Sequence, residues 1–109
     1  MDNIYKFLLK RGVDPELRGF EYMAHAIQYC IDHHINAPKM SDVNTYLART
    51  FNVSVDSVES CLIHLCSTLK KPKQSNYKIK TTINYLYYDY LYNYKETNNE
   101  LIEASVPSN

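Results

Sequence analysis

The stretch SDVNTYLARTFNVSVDSVESCLIHLCSTL, residues 41–69, decides the fold. Ser41 is placed to cap a helix, and Val43, Tyr46, Leu47 and Phe51 follow at the spacing of one apolar helical face. Asn52-Val53-Ser54 breaks the pattern. Ser54 can then cap a longer helix, running to about Leu69, that carries Val55, Val58, Leu62, Leu65, Cys66 and Leu69 inward. A helix, a three-residue turn and a longer second helix form the helix-turn-helix pattern. Its uncovered side is expected to hold Asp56, Ser57, Glu59, Ser60, Ile63, His64 and Ser67.

Outward from this corner the chain reads as helices. Ile4, Phe7 and Leu8 after Asp2-Asn3 predict a short helix ending near Gly12. Asp14-Pro15-Glu16 reads as a turn, and Tyr22, Met23, Ala26, Ile27, Cys30 and Ile31 predict a helix from about Phe20 to His33. The segment 34–39, with Asn36 and Pro38, reads as a loop. Six tyrosines crowd residues 85–94. Ile79, Ile83, Leu86, Tyr87, Tyr90, Leu91 and Tyr94 keep helical spacing, whereas a strand would leave aromatics on both faces, so a tyrosine-rich helix is expected there. Residues 104–109 read as a flexible tail. The expected fold class is all-α, a small orthogonal helix-turn-helix bundle of about five to six helices, unrelated to the winged helix. It occupies one domain, residues 1–109.

Composition bounds the function. At 109 residues the chain has room for one core. Only two glycines leave little scope for glycine-rich phosphate loops or tight hairpins. No apolar run approaches the ~20 residues of a membrane helix, and no secretory signal is visible. Three cysteines read as reduced thiols, so a cytoplasmic protein is expected. The formal charge is zero, but it is segregated: residues 1–69 carry −2, the basic loop at 70–80 carries +5 and residues 81–109 carry −3. Lys70, Lys71 and Lys73 form a local basic cluster after the second helix of the corner, able to hold phosphates by counterion release.

The residues resemble the C-terminal DNA-binding effector domain of the stage-zero sporulation protein A family. Gly12-Val13-Asp14-Pro15-Glu16-Leu17-Arg18-Gly19-Phe20-Glu21-Tyr22-Met23, with Ala26-Ile27, is similar to the family's approach to its second helix. Leu47-Ala48-Arg49-Thr50-Phe51-Asn52-Val53-Ser54 is similar to the close of its third helix, and Val58-Glu59 with His64 to its recognition helix. Thr97-Asn98-Asn99-Glu100-Leu101-Ile102 resembles the start of its final helix. The likeness covers residues 4–69 well and leaves the tyrosine-rich stretch unmatched. It implies a DNA-binding regulator, here expected to act without the family's phosphorylatable receiver. Where the family's recognition helix presents three arginines, this sequence has Ser57, Ser60 and Ile63. Arginine is the usual bidentate reader of guanine, so the resemblance implies a retained scaffold with an altered reading head.

The residues expected to contact DNA are Arg49, Ser54, Ser57, Glu59, Ser60, His64, Lys70, Lys71 and Lys73. Glu59 can accept from a cytosine amino group, and serines can bond bases or phosphates. The competing expectation, from a different class, is a protein-interaction module. Ile63 is apolar where a groove reader is polar, and Tyr85, Tyr88 and Tyr92 lie away from Ile83 and Leu91, so these four form the expected partner-binding set. Its partner would be a second copy or another regulatory protein. Tyrosines stacking on single-stranded bases are a weaker reading beside Asp89. Cys30-x-x-His33 and Cys61-x-x-His64 have the spacing of metal-ligand pairs, but free cysteine on an apolar face is commonly core, so no metal or other cofactor is expected. No nucleophile elbow or paired-carboxylate site is present, and no enzymatic activity is expected.

Overall fold

In the computed structural model, which describes residues 1–35, 38–69 and 79–95, five α-helices follow one another, with no strand among the described residues. They are α1 (Asp2–Lys10), α2 (Arg18–His33), α3 (Met40–Phe51), α4 (Val55–Thr68) and α5 (Ile79–Asp89), the last continuing into a π-helical turn over Tyr90–Lys95. The protein is a small all-α bundle. Of the expected basic loop at 70–80, residues 70–78 lie outside the described residues, while Ile79 and Lys80 open α5 instead of belonging to a loop. The flexible tail and the Thr97–Ile102 match also lie outside the described residues.

The helices stop where the chain can enter left-handed backbone. Gly12 has φ +81°, and the Val13 amide donates to Leu8 O while the Gly12 amide donates to Leu9 O, closing α1 with a Schellman turn. Leu8 and Val13, both buried, provide the hydrophobic contact that accompanies such a turn. His34 (φ 53°) and Asn52 (φ 54°) end α2 and α3 in the same way, with Ile35 donating to Cys30 O and Val53 to Ala48 O. Asparagine tolerates this region better than most residues, which makes Asn52 an apt end for the first helix of the corner. Ser54 caps α4 as expected, its Oγ accepting from the Ser57 amide at 3.0 Å. The Asp14 carboxylate accepts from the Glu16 amide and forms the expected turn.

Two boundaries differ from expectation. Ser41 does not cap α3. The Asp42 and Val43 amides both donate to Lys39 O, so the helix closes two residues earlier, after the buried Pro38. Ser41 then lies inside the first turn, where its carbonyl accepts from the Thr45 hydroxyl. The tyrosine-rich segment is helical as expected, but its winding changes from α to π directly after Asp89, the residue that Arg11 holds.

Helix α2 is the central post, packed against α1, α3, α4 and α5. Gly19, in its first turn, lets α4 approach closely: a Cβ there would lie 2.6 Å from Cys61 O and 3.0 Å from Leu65 Cβ. The core joins Ile4, Phe7 and Leu8 of α1 to Met23, Ala26 and Ile27 of α2, Val43 and Leu47 of α3, Leu62 and Leu65 of α4, and Ile83 and Leu86 of α5. The edge of Phe7 meets the rings of Tyr90 and Tyr94, at 5.4 and 5.6 Å between centroids. Arg11, just past α1, forms a bidentate pair with Asp89, Nε to Oδ2 at 2.6 Å and Nη2 to Oδ1 at 3.0 Å. Asn93 Nδ2 also donates to Asp89 Oδ1. The first helix and the last are thereby fastened together.

Candidate functional site

The α3–α4 corner has the arrangement read from the sequence, except that Val55, expected inward, stands 42% exposed at the start of α4. The chain turns at Asn52–Ser54, and α3 and α4 pack against each other and against α2. The inner side of α4 is spent on the core: Val58, Leu62, Leu65 and Cys66 are buried. Its other side is uncovered. Asp56, Glu59, Ser60, Ile63, His64 and Ser67 are exposed, and Ser57 is half-buried beside the cap. Ile63 stands at 54% exposure in the middle of this polar face.

Arg49 is exposed in the last turn of α3, ahead of the corner. Ser54 is also exposed, and one lone pair of its oxygen is engaged by the Ser57 amide, which leaves its O–H and its second lone pair to face outward. Ser67 turns back on its own helix, its hydroxyl donating to His64 O at 2.6 Å. Asp56, Glu59, Ser60 and His64 therefore have the free polar atoms of the face. Helix α4 carries two acids and no lysine or arginine. Any cationic contribution comes from its flanks: Arg49 before the turn, and Lys70, Lys71 and Lys73, which follow α4 in the chain and lie outside the described residues.

The expected partner-binding residues divide between two helices. Ile63 belongs to the uncovered face of α4. Tyr85 and Tyr92, each 58% exposed, and the half-buried Tyr88 belong to the outer side of α5 and its π turn. Tyr87, Tyr90 and Tyr94 are buried, so the tyrosine run divides into core and surface sets. The phenol of Tyr87 is pushed above its ordinary pKa chiefly by burial, with Cys30 nearby adding to the effect.

Among the described residues no group of three or more histidine, cysteine, aspartate or glutamate side chains could share a metal ion. The two Cys-x-x-His pairs are on α2 and α4, and each has only its own helix's partner. Burial pushes the Cys30 thiol up to about 11, a poor state for a ligand or nucleophile. None of the described helices is long and apolar enough to cross a membrane.

Sequence reasoning missed Gly19 as the contact that seats α4. The only signal was a glycine in the first turn of an amphipathic helix, a position where close packing is one of few explanations. No family model, curated protein or solved structure matches the chain.

Proposed function

We propose that this protein is a small helix-turn-helix regulator, resembling the sporulation effector domain, that binds duplex DNA by laying α4 in the major groove. The supporting observation is the division of α4. One side is held by α2 and α3, while Glu59, Ser60, Ile63 and His64 stand clear of the fold. A recognition helix needs this combination, because a base-reading side chain must project from a rigid support.

In this reading the roles divide by charge. Arg49 and the lysines at 70, 71 and 73 neutralise phosphates at the two ends of α4 and supply most of the affinity. Glu59 accepts from a base amino group, and Ser60 and His64 add hydrogen bonds at base edges or sugar–phosphate oxygens. Ser54 and Ser57 together form the cap that holds the first turn of α4 at the groove. No cofactor and no catalytic step are involved, and the site of action is the cytoplasm. With serine, serine and isoleucine at 57, 60 and 63, no guanine is gripped bidentately. Discrimination between sequences is therefore modest, and salt weakens binding steeply.

The test is a mobility shift on mixed-sequence duplex at about 50 and 200 mM salt. Binding at the lower salt should weaken by about tenfold or more at the higher, as expected for several phosphate contacts. Replacing Lys70, Lys71 and Lys73 together by alanine should flatten that dependence. Absence of any shift at low salt refutes the reading. One observation favours the second reading, a protein-interaction module: the 54% exposure of Ile63 amid polar neighbours. In that case duplex is ignored, and Ile63→Asp releases a protein partner instead.

A further inference from the structure

We propose that Ile63 is the specificity-determining residue of α4, seating its side chain on the 5-methyl group of a thymine in the major groove. The proposal rests on the reading of α4 as the duplex-binding helix and adds the base that this helix prefers.

Ile63 is 54% exposed, and its neighbours one turn away on α4 are polar: Glu59, Ser60 and Ser67, with His64 beside it. The other large apolar side chain exposed on this helix, Val55, lies about two turns back. A protein interface gathers apolar and aromatic anchors into a desolvated centre. One apolar side chain ringed by hydrogen-bonding groups has a different complement, a surface that is polar except for a methyl group. The thymine edge in the major groove is such a surface. It presents the C5-methyl group beside the O4 acceptor, and its partner adenine adds the N6 amino donor and the N7 acceptor. The side chains of α4 match that set. Ile63 suits the methyl group, the Ser60 hydroxyl and a His64 ring N–H suit O4 and N7, and the Glu59 carboxylate suits N6. Residues four apart on a helix stand about 6 Å from each other, roughly two base steps along a strand. Glu59 and Ile63 therefore meet base pairs that are close neighbours.

The side chain is also prearranged. Leu62 and Leu65, on the opposite side of α4, are fully buried, and Gly19 of α2 lies against Cys61 O and Leu65 Cβ. The backbone that carries Ile63 is thus fixed where α2 packs tightly on α4. A β-branched side chain in a helix keeps essentially one χ1 rotamer. Ile63 accordingly presents its methyl groups in one direction and loses little freedom on contact.

The test is binding to one A·T-rich duplex made either with thymine or with deoxyuracil, which lacks only the 5-methyl group. Wild type should bind the thymine duplex about three- to tenfold more tightly, as one or two buried methyl contacts provide. Because the contact is uncharged, that ratio should be the same at about 50 and 200 mM salt, while each affinity falls. Ile63→Ala, with unchanged far-ultraviolet circular dichroism, should bring the ratio to about one by weakening the thymine duplex alone, and Ile63→Val should keep most of it. A ratio near one in wild type, or a ratio that persists in Ile63→Ala, overturns the proposal and leaves α4 standing as a duplex-binding helix. Binding to neither duplex at low salt overturns both, and leaves Ile63 to a protein partner.

Discussion

At Gly19 the absence of a side chain sets the distance between two helices. An alanine there gains helix propensity, about 1 kcal/mol over glycine. Its Cβ must nevertheless fit 2.6 Å from a backbone oxygen, Cys61 O, which cannot swing aside as a side-chain tip can. The clash wins, and Gly19→Ala should cost a net ~1–3 kcal/mol in urea unfolding. A stabilised Gly19→Ala would show that α2 and α4 stand further apart than described. The cysteines give a second residue-scale expectation. With the Cys30 thiol near 11, only about 0.1% is thiolate at pH 8. Cys66 is buried as well, whereas Cys61 is half-buried. Ellman's reagent at pH 8 should therefore titrate one thiol quickly in the native protein and three in denaturant. Three fast thiols under native conditions would mean that α2 and α4 open readily.

Among the helices, the joint between α1 and α5 makes stability depend on pH. The Arg11 guanidinium, through its hydrogen bonds, holds the Asp89 carboxyl below the usual carboxylate range, against the opposing effect of burial. Its folded pKa is below its unfolded one, so the stabilisation is complete above about pH 4 and is lost as pH falls through the folded value. His25, with its ring 4.9 Å from Phe51, is lowered chiefly by burial. Its stabilisation is likewise present above about pH 6.5 and declines below it. Acidification should thus lower the melting temperature in two steps, one starting below about pH 6.5 and one below about pH 4. Asp89→Asn should remove the second step and cost ~1–3 kcal/mol at pH 7, because the buried end of the pair loses its charge. An unchanged acid limb in that variant would remove Asp89 from the account. How far these elements could be read from the sequence follows from how local their causes are. Ser54 was recognisable as a cap because its partner amide is three residues away. Ser41 looked equally good, but the turn closing on Lys39 O depends on how Pro38 is buried by the rest of the fold. The tyrosine run was readable as helix from its spacing. Its change to π winding at Tyr90 was not, because it adjoins a tether to a residue 78 positions away.

For the whole molecule, the corner and its uncovered face were legible because their residues are contiguous, whereas the closure of the bundle was not, since its contacts join the two ends of the described chain. That closure decides how the protein unfolds. Helix α2 packs against α1, α3, α4 and α5, so each helix is held on a shared post. The Phe7 ring is fully buried between α1 and the π turn, and Leu62 is fully buried in α4, on the opposite arm of the structure. If the arms were independent, Phe7→Ala would melt α1 with α5 and leave the corner intact. The shared post argues instead for one cooperative unit, as in most single domains of this size. Phe7→Ala and Leu62→Ala should each cost ~2–5 kcal/mol, lowering the midpoint by about 4–8 °C per kcal/mol. In both variants the tyrosine signal in the near ultraviolet and the helical signal in the far ultraviolet should fall together, which a chain with eleven tyrosines and no tryptophan makes easy to follow. Two separated transitions in Phe7→Ala, with the tyrosine signal lost first, would instead show a corner that stands without its terminal helices. The α4 face would then be a module that α1 and α5 merely flank.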